Sequence, residues 1–349
     1  MDQQISAVNV ASVAFTNPTE KPPAAQRLKP LLAYLFAGVG LAWVLHDIRL
    51  EQLPSHFVRI NWSWVALAIV CDILGYVCQG VRWQLLLQPV SRKLSWPQAT
   101  QAVYAGLFVN EILPLRAGEL VRAWLAARWM SVSPVSIIPS IVVERLLDAI
   151  WLVAGIGLVA VFVPLPQDLT HTGSWIGIII IVSVVCLIAL FMVRRQIAHS
   201  ERMRGRLAQW KSKSALLSLV VRLAGGLREI GLSRPFYFSL IISLVFLALQ
   251  GLAFWLVMLA YGLPLSWQIG MAVFLIVHVG TLIPNAPANV GSYQFFCVVG
   301  LTLFGVDKTL ATGFSLVVFI SLTVPLLVIG WLALGRSGMK LRTIHQESC

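Results

Sequence analysis

The sequence predicts an all-α polytopic membrane protein, and three observations support this. Of the 349 residues, 58% are apolar and 11% are charged, whereas soluble proteins average roughly 45 to 50% apolar and about 25% charged residues. Apolar runs close to the ~20 residues that cross a bilayer recur along most of the chain. The excess of 12 positive charges lies mainly in short segments between these runs. The pattern leaves no room for a water-soluble domain of ordinary size.

One transmembrane domain, residues 30–335, is predicted between two cytoplasmic tails. Residues 1–29 are polar and lack the order of a cleavable signal peptide, so we expect a disordered tail there. Residues 336–349 form the second tail. The five cysteines show no CxxC spacing, and we expect no metal site and no cofactor. Because the basic residues occupy short loops, they indicate membrane topology and not a nucleic-acid surface.

About six apolar runs are long enough for spanning helices: 30–46, 62–80, 135–163, 174–193, 235–260 and 309–334. Two further stretches are interrupted by prolines, glycines and polar residues, and each is predicted to form a helix, a break and a second helix. They are the first hairpin, residues 98–130, and the second hairpin, residues 268–305.

The distribution of Lys and Arg predicts the orientation. The loop 194–213, part of a basic stretch 194–230, holds seven bases and one acid, which indicates a cytoplasmic loop. Counting spans from this loop makes both termini cytoplasmic, and the two hairpins then enter the membrane from opposite faces. Re-entrant hairpins of this kind are typical of an inverted repeat. An alternative with eight spans, in which both hairpins cross fully, stays open.

The first group of polar residues surrounds the break in the first hairpin. Arg116, Glu119 and Arg122 are spaced by three and share one helical face, and Asn110 precedes them. Two arginines beside one carboxylate keep guanidinium donors available for a phosphate group. A helix that starts after the break adds backbone N–H groups that favour an anion. We expect an anionic headgroup here.

The second group lies inside the apolar run 135–163. Glu144, Arg145 and Asp148 share one flank of the predicted helix. Ionisable groups at membrane depth are costly unless they are paired or hydrated, so we expect them to face the first hairpin or a wet cavity. The alternative is a structural clamp between helices.

The third group forms the break of the second hairpin. Tyr293 and Gln294 open the half-helix after the break and would hydrogen-bond a headgroup or the first hairpin. The full set of predicted substrate-binding residues here is Pro284, Asn285, Asn289, Gly291, Tyr293 and Gln294. Irregular backbone at membrane depth is tolerated only where protein or a water-filled cavity satisfies it. The alternative is a plain extracellular loop.

Two ionisable residues, one inside the span 62–80 and one just after it, are not assigned to the binding site. Asp72 is interpreted as a paired or interfacial residue. Arg82, beside Trp83, is interpreted as an anchor that extends to the cytoplasmic interface.

Three segments in order carry a family resemblance: LPLRAGELVRA within residues 110–123, ERLLD at 144–148, and PANVG at 287–291 followed by FGV at 304–306. They resemble the lysylphosphatidylglycerol synthase transmembrane-region family, also described as flippase-like or UPF0104 proteins. The family often has an acidic residue soon after the turn glycine, where this chain has Ser292, Tyr293 and Gln294. In multidomain relatives a soluble domain makes lysyl lipid and the membrane region moves lipid between leaflets.

The resemblance and the polar groups together imply a flippase-like protein of the bacterial cytoplasmic (inner) membrane. It would translocate or bind an anionic lipid or lipid-linked headgroup: a phospholipid, a glycolipid or a polyprenyl phosphate. We expect no catalysis, since no catalytic motif is present and the synthase domain is absent. The alternatives are a lipid glycosyl or aminoacyl transferase using Glu144 and Asp148, and an accessory partner of an envelope-synthesis enzyme. The oligomeric state is not predicted.

Overall fold

The computed structural model describes Leu35 and residues 38–46, 59–113, 117–162, 234–282 and 287–338. Within these residues all regular structure is helical and no strand occurs, which confirms the all-α prediction. Several predictions lie outside the described residues: the tail 1–29, most of the tail 336–349, the span 174–193, the basic stretch 194–230, and the site residues Arg116, Pro284 and Asn285.

The described part of the chain contains nine α-helices. They are α1 (38–45), α2 (Trp62–Leu87), α3 (Trp96–Ile112), α4 (Gly118–Met130), α5 (Ile138–Phe162), α6 (Arg234–Ala260), α7 (Trp267–Gly280), α8 (Ser292–Leu303) and α9 (Lys308–Arg336). Short 3-10 turns occur at Pro134–Ser136 and Pro287–Asn289.

Four of these helices are long and apolar enough to cross a membrane: α2, α5 with its preceding turn, α6 and α9. They correspond to four of the predicted spans. Helix α2 continues seven residues beyond the predicted end at residue 80, so Arg82 lies inside the helix. The predicted span 30–46 is only partly described, and the full count of six stays a prediction.

The order of helices repeats. A long helix, two short helices separated by a break and a second long helix form the first half, α2 to α5, and the same order forms the second half, α6 to α9. Helices α2 and α6 pack along each other in antiparallel directions. At one end the Asn61 amide donates to the Ala260 carbonyl at 3.0 Å, and at the other the Ser239 hydroxyl donates to the Arg82 carbonyl at 3.4 Å. The two halves therefore run in opposite directions.

The remaining contacts follow the same relation. Helix α3 packs on α9, and its counterpart α7 packs on α5. Helix α2 also contacts α9, and its counterpart α6 contacts α5. The first short helix of each half, α3 or α7, therefore packs against the last long helix of the other half.

Side-chain caps set the starts of several helices. Asn61 accepts a hydrogen bond from the Ser63 amide at 3.1 Å, and Asp307 accepts one from the Thr309 amide at 2.8 Å. Before α3, the Ser95 amide donates to Oε1 of Gln98 at 3.0 Å, half of a capping box. These bonds satisfy amide groups that have no partner within the helix.

Candidate functional site

A cavity of about 430 Å³ lies where the two breaks meet. The first break contributes Asn110 and Gly118, and the second contributes Asn289 and Tyr293. The 3-10 turn of the second break packs directly against α3 of the first hairpin. Both hairpins, although more than 100 residues apart in sequence, therefore line one site.

Glu144 is the centre of a network of charged side chains beside this cavity. Its carboxylate is fully buried and accepts hydrogen bonds from three residues. Arg82 donates to Oε1 at 2.7 Å, Gln79 donates to the same oxygen at 2.9 Å, and Arg122 pairs with Oε2. Because these donors occupy both oxygens, a metal ion at Glu144 would have to displace arginines. Among the described residues, no three His, Cys, Asp or Glu side chains are grouped to hold a metal.

Arg82 is a member of the network, and its interpretation as an interfacial anchor is wrong. The side chain is fully buried, as is the neighbouring Trp83. One guanidinium nitrogen donates to Asp148 at 2.5 Å and to the Ser243 hydroxyl at 2.9 Å, while the other donates to Glu144. Helix α2 continues about two turns past residue 80, so Arg82 lies within the helix, five residues before its end. Its side chain is buried between α5 and α6. A run of apolar residues could not reveal this, since the helix continues past the point where the run ends.

The two buried arginines also contact aromatic rings. The Arg122 guanidinium lies 4.1 Å from the centre of the Trp83 ring, and Arg82 lies 5.5 Å from that of Phe246. Such contacts are attractive because the ring face carries partial negative charge. The indole N–H of Trp83 donates to the Ser140 hydroxyl at 3.0 Å, which fixes the ring against α5.

On the side of the network that faces the cavity, the distances between charged groups are longer. Arg145 is 45% exposed, and its nitrogens lie 3.4 Å from Asp148, 3.5 Å from Glu119 and 3.7 Å from Glu144. Glu119 also lies 4.0 Å from Arg122. These separations exceed the 2.7–2.9 Å typical of close charge-assisted hydrogen bonds. Arg145 is therefore the arginine of the network that is best able to turn toward a ligand.

The first break depends on a close contact between two glycines. A Cβ at Gly118 would lie 1.8 Å from the Gly106 carbonyl oxygen, so α3 and α4 pack backbone to backbone. Oδ1 of Asn110 accepts a hydrogen bond from the Gly118 amide at 2.8 Å and caps α4. The Asn110 amide therefore supports the break as well as lining the cavity.

The second break is a tight left-handed turn. Ala288, Asn289 and Gly291 have φ values of 56°, 52° and 88°, a region that glycine adopts readily and other residues seldom do. Oε1 of Gln294 accepts from the Gly291 amide at 2.7 Å, and the Ser292 hydroxyl donates to the Asn289 carbonyl at 2.9 Å. Gln294 is 2% exposed and serves as the cap of α8.

The structure brings most of the predicted site residues together. Those that line the cavity are Asn110, Glu119, Arg122, Arg145, Asp148, Asn289 and Tyr293. Glu144 lies in the network behind them, Gly291 lies at the second break, and Gln294 lies in the first turn of α8. Their roles in binding stay predictions. Sequence reasoning missed Arg82 and Gln79, and the signal available for both was a polar stripe on the last turns of α2.

Residues 31–330 match the family described as lysylphosphatidylglycerol synthase TM region. This chain is similar to two UPF0104 membrane proteins of Methanothermobacter thermautotrophicus. One is 25% identical over 76% of this chain and 81% of its own length, and the other is 20% identical over 83% of this chain and 90% of its own length. A UPF0104 membrane protein of Methanocaldococcus jannaschii is 26% identical over 38% of this chain and 39% of its own length. The family match covers both halves, both breaks and the charged network, and the chain belongs to the lysylphosphatidylglycerol synthase TM region family.

Proposed function

We propose that the protein binds the phosphate-bearing headgroup of a membrane lipid in the cavity and moves it between leaflets without a catalysed chemical step. The observation that carries the proposal is Arg145, a guanidinium 45% exposed toward a cavity lined by two broken hairpins inside an apolar bundle. Its planar donors suit the oxygens of a phosphate. An ionisable residue in such a position marks a substrate pathway by default.

The depth of the site supports this role. Arg82 lies five residues before the end of α2, which places the network about 8 Å inside that end. The same end of the bundle carries Arg92, Lys93 and Arg336, as expected for a cytoplasmic surface. A headgroup that reaches Arg145 from the cytoplasmic leaflet would therefore already be within the membrane.

Apolar residues at both breaks support a lipid as the ligand. Leu113 and Leu282 line the cavity and are 38% and 45% exposed, while the nearby Ile112 and Leu120 are 51% and 70% exposed. An exposed leucine beside a polar cavity suits a ligand with one charged part and one apolar part. Acyl chains would pass along these residues and stay in contact with bilayer lipid.

The proposal includes an architecture for transport. The opposite directions of the two halves favour an inverted repeat in which the hairpins are re-entrant, one from each face of the cytoplasmic membrane. Both termini would be cytoplasmic. Movement of one hairpin against the last long helix of the other half would open the cavity to each leaflet in turn.

The test is transbilayer movement of a fluorescent phospholipid in proteoliposomes. Arg145→Gln should slow movement at least tenfold, since the phosphate loses its exposed guanidinium. Arg128→Gln is the matched control, because Arg128 is an exposed residue on α4 whose guanidinium lies over Trp124 and not in the cavity. It should change the rate less than twofold. Equal rates for wild type and Arg145→Gln, or no movement by wild type, would overturn the proposal.

A further inference from the structure

Asp72 is a buried acid of the cavity that lies away from the proposed phosphate position at Arg145. It is 2% exposed and lines the cavity wall. It lies about 15 Å from the start of α2, near the middle of a spanning helix. Ionisable residues at such depth are costly unless they are paired, and they often belong to proton or substrate pathways.

The Asp72 carboxyl has an uncharged partner. It is hydrogen-bonded by the amide of Gln250 on α6, and the amide nitrogen also lies 3.5 Å from the Asp72 carbonyl oxygen. A Cβ at Gly75 would lie 2.8 Å from the same nitrogen, so the glycine leaves room for this amide against α2. Among the described residues, no ion pair includes Asp72. A neutral carboxyl fits these surroundings, whereas a charged one would be buried without a counter-ion.

Other titratable side chains face the same cavity from several helices, whereas the cavity residues of α6 and α9 are uncharged. The titratable ones are Tyr76 of α2, Glu111 of α3, Glu119 and Arg122 of α4, Arg145 and Asp148 of α5, His278 of α7 and Tyr293 of α8, with Tyr104 of α3 close to Asp72. Glu119 and Asp148 lie 3.5 Å and 3.4 Å from nitrogens of Arg145. These two acids therefore have a cationic partner, which Asp72 lacks in the described part of the chain.

The separation of Asp72 from the phosphate position is short enough for electrostatic coupling. Arg145 and Gln79 both approach Oε1 of Glu144, at 3.7 Å and 2.9 Å, so they lie at the same level of the bundle. Asp72 lies seven residues before Gln79, about 10 Å along the helix axis. At that distance and an effective dielectric constant of about 20, two unit charges change each other's binding roughly tenfold. A phosphate at Arg145 therefore disfavours an ionised Asp72, and a protonated Asp72 favours the phosphate.

We infer that Asp72 is a proton-binding site that is filled together with the lipid phosphate, which makes movement of the lipid proton-coupled. This rests on the proposed function and names its coupling ion. A hydronium ion in the cavity gives its proton to a carboxylate oxygen of Asp72 and leaves water, and no other bond changes. By thermodynamic linkage, the proton and the lipid each raise the affinity for the other by the same factor.

The test measures binding of short-chain phosphatidylglycerol to the purified protein in detergent at a series of acidic to alkaline pH values. The phosphodiester keeps its single negative charge throughout, so any change in affinity belongs to the protein. Wild type should bind roughly tenfold more tightly at the acidic end. In weakly buffered solution with a pH indicator, it should also take up about half a proton per bound lipid near the midpoint of this change.

The matched variants separate Asp72 from the other titratable groups. Asp72→Asn imitates the neutral carboxyl, so it should bind the lipid at every pH as tightly as wild type does in acid and should take up no proton. Asp307→Asn, the same change at the exposed start of α9, should keep the pH dependence and the proton uptake of wild type. In proteoliposomes, a pH gradient that is acidic on the loading side should accelerate lipid movement by wild type.

The inference is overturned if wild type binds the lipid equally at all pH values and takes up no proton, because the carboxyl then stays in one protonation state. It is also overturned if Asp72→Asn keeps the proton uptake, since the proton would then belong to another group such as Glu111 or His278. Movement by wild type that ignores the pH gradient would support transport and overturn the coupling. Proton uptake on lipid binding without any movement would support the proton site and contradict transport, which separates the two proposals.

Discussion

The two halves of the bundle share one order of helices and differ in their chemistry. In the first half the buried polar residues include four charged ones: Asp72, Arg82, Arg122 and Glu144. In the described part of the second half, the buried polar residues are all uncharged: Ser239, Ser243, Ser292, Gln294, Thr309, Thr312 and Ser315. The repeated architecture supplies a cavity, and among the described residues the buried charges around it come from the first half.

The halves also join their last two helices differently. Helix α8 packs directly on α9. The corresponding helices of the first half, α4 and α5, are bridged by the ion pair of Arg122 with Glu144. In the first half, a buried ion pair takes the place of close helix packing beside the cavity. Long arginine side chains can connect two helices across a gap that apolar side chains would otherwise fill.

The largest expected effect tests whether the first half depends on its charges. Glu144→Gln should lower the free energy of unfolding by about 3–5 kcal/mol, because Arg82 and Arg122 would remain buried without their shared carboxylate. Denaturant titration in mixed micelles measures the change. The control Glu119→Gln should cost less than about 1 kcal/mol, since Glu119 is partly exposed and its ion pairs are long. Equal costs would show that burial of the charges does not matter.

The next effect compares the glycines of the two hairpins. Gly118→Ala should destabilise the protein by about 3 kcal/mol, because its Cβ would meet the Gly106 carbonyl and force α3 and α4 apart. Gly280→Ala should cost less, since the new Cβ would meet the Phe296 ring, 2.1 Å away, and a side chain can shift more easily than a backbone. Circular dichroism during heating gives the order. A larger loss for Gly280→Ala would contradict the difference drawn between the hairpins.

The smallest effects test what the halves share. Asn110 and Gln294 each cap the helix that follows a break with an amide oxygen, at 2.8 Å and 2.7 Å. Replacing either with Ala should cost about 1 kcal/mol in the same titration. If only one Ala variant is destabilised, the two breaks are not equivalent.

The fold was largely predictable because its signals are local. Four spanning helices and both helix–break–helix segments follow from apolar length and from Pro and Gly positions, and the observed hairpins begin and end within two residues of their predicted limits. The partners of Arg82 were not predictable, although a polar stripe on the last turns of α2 marked the residue itself. Its partners Glu144 and Asp148 are more than 60 residues away in sequence.

The order of residues was enough to identify a membrane protein of long apolar helices with polar residues at two breaks, because burial in lipid constrains each segment independently. The contacts between polar residues became known from the packing of the helices. That packing joined Arg82 to the charged network, assigned Gln294 to a helix cap and placed Asp72 in the same cavity as Arg145. Those outcomes depend on packing between distant helices, where the partner that satisfies a buried charge is chosen by geometry in three dimensions and not by spacing along the chain.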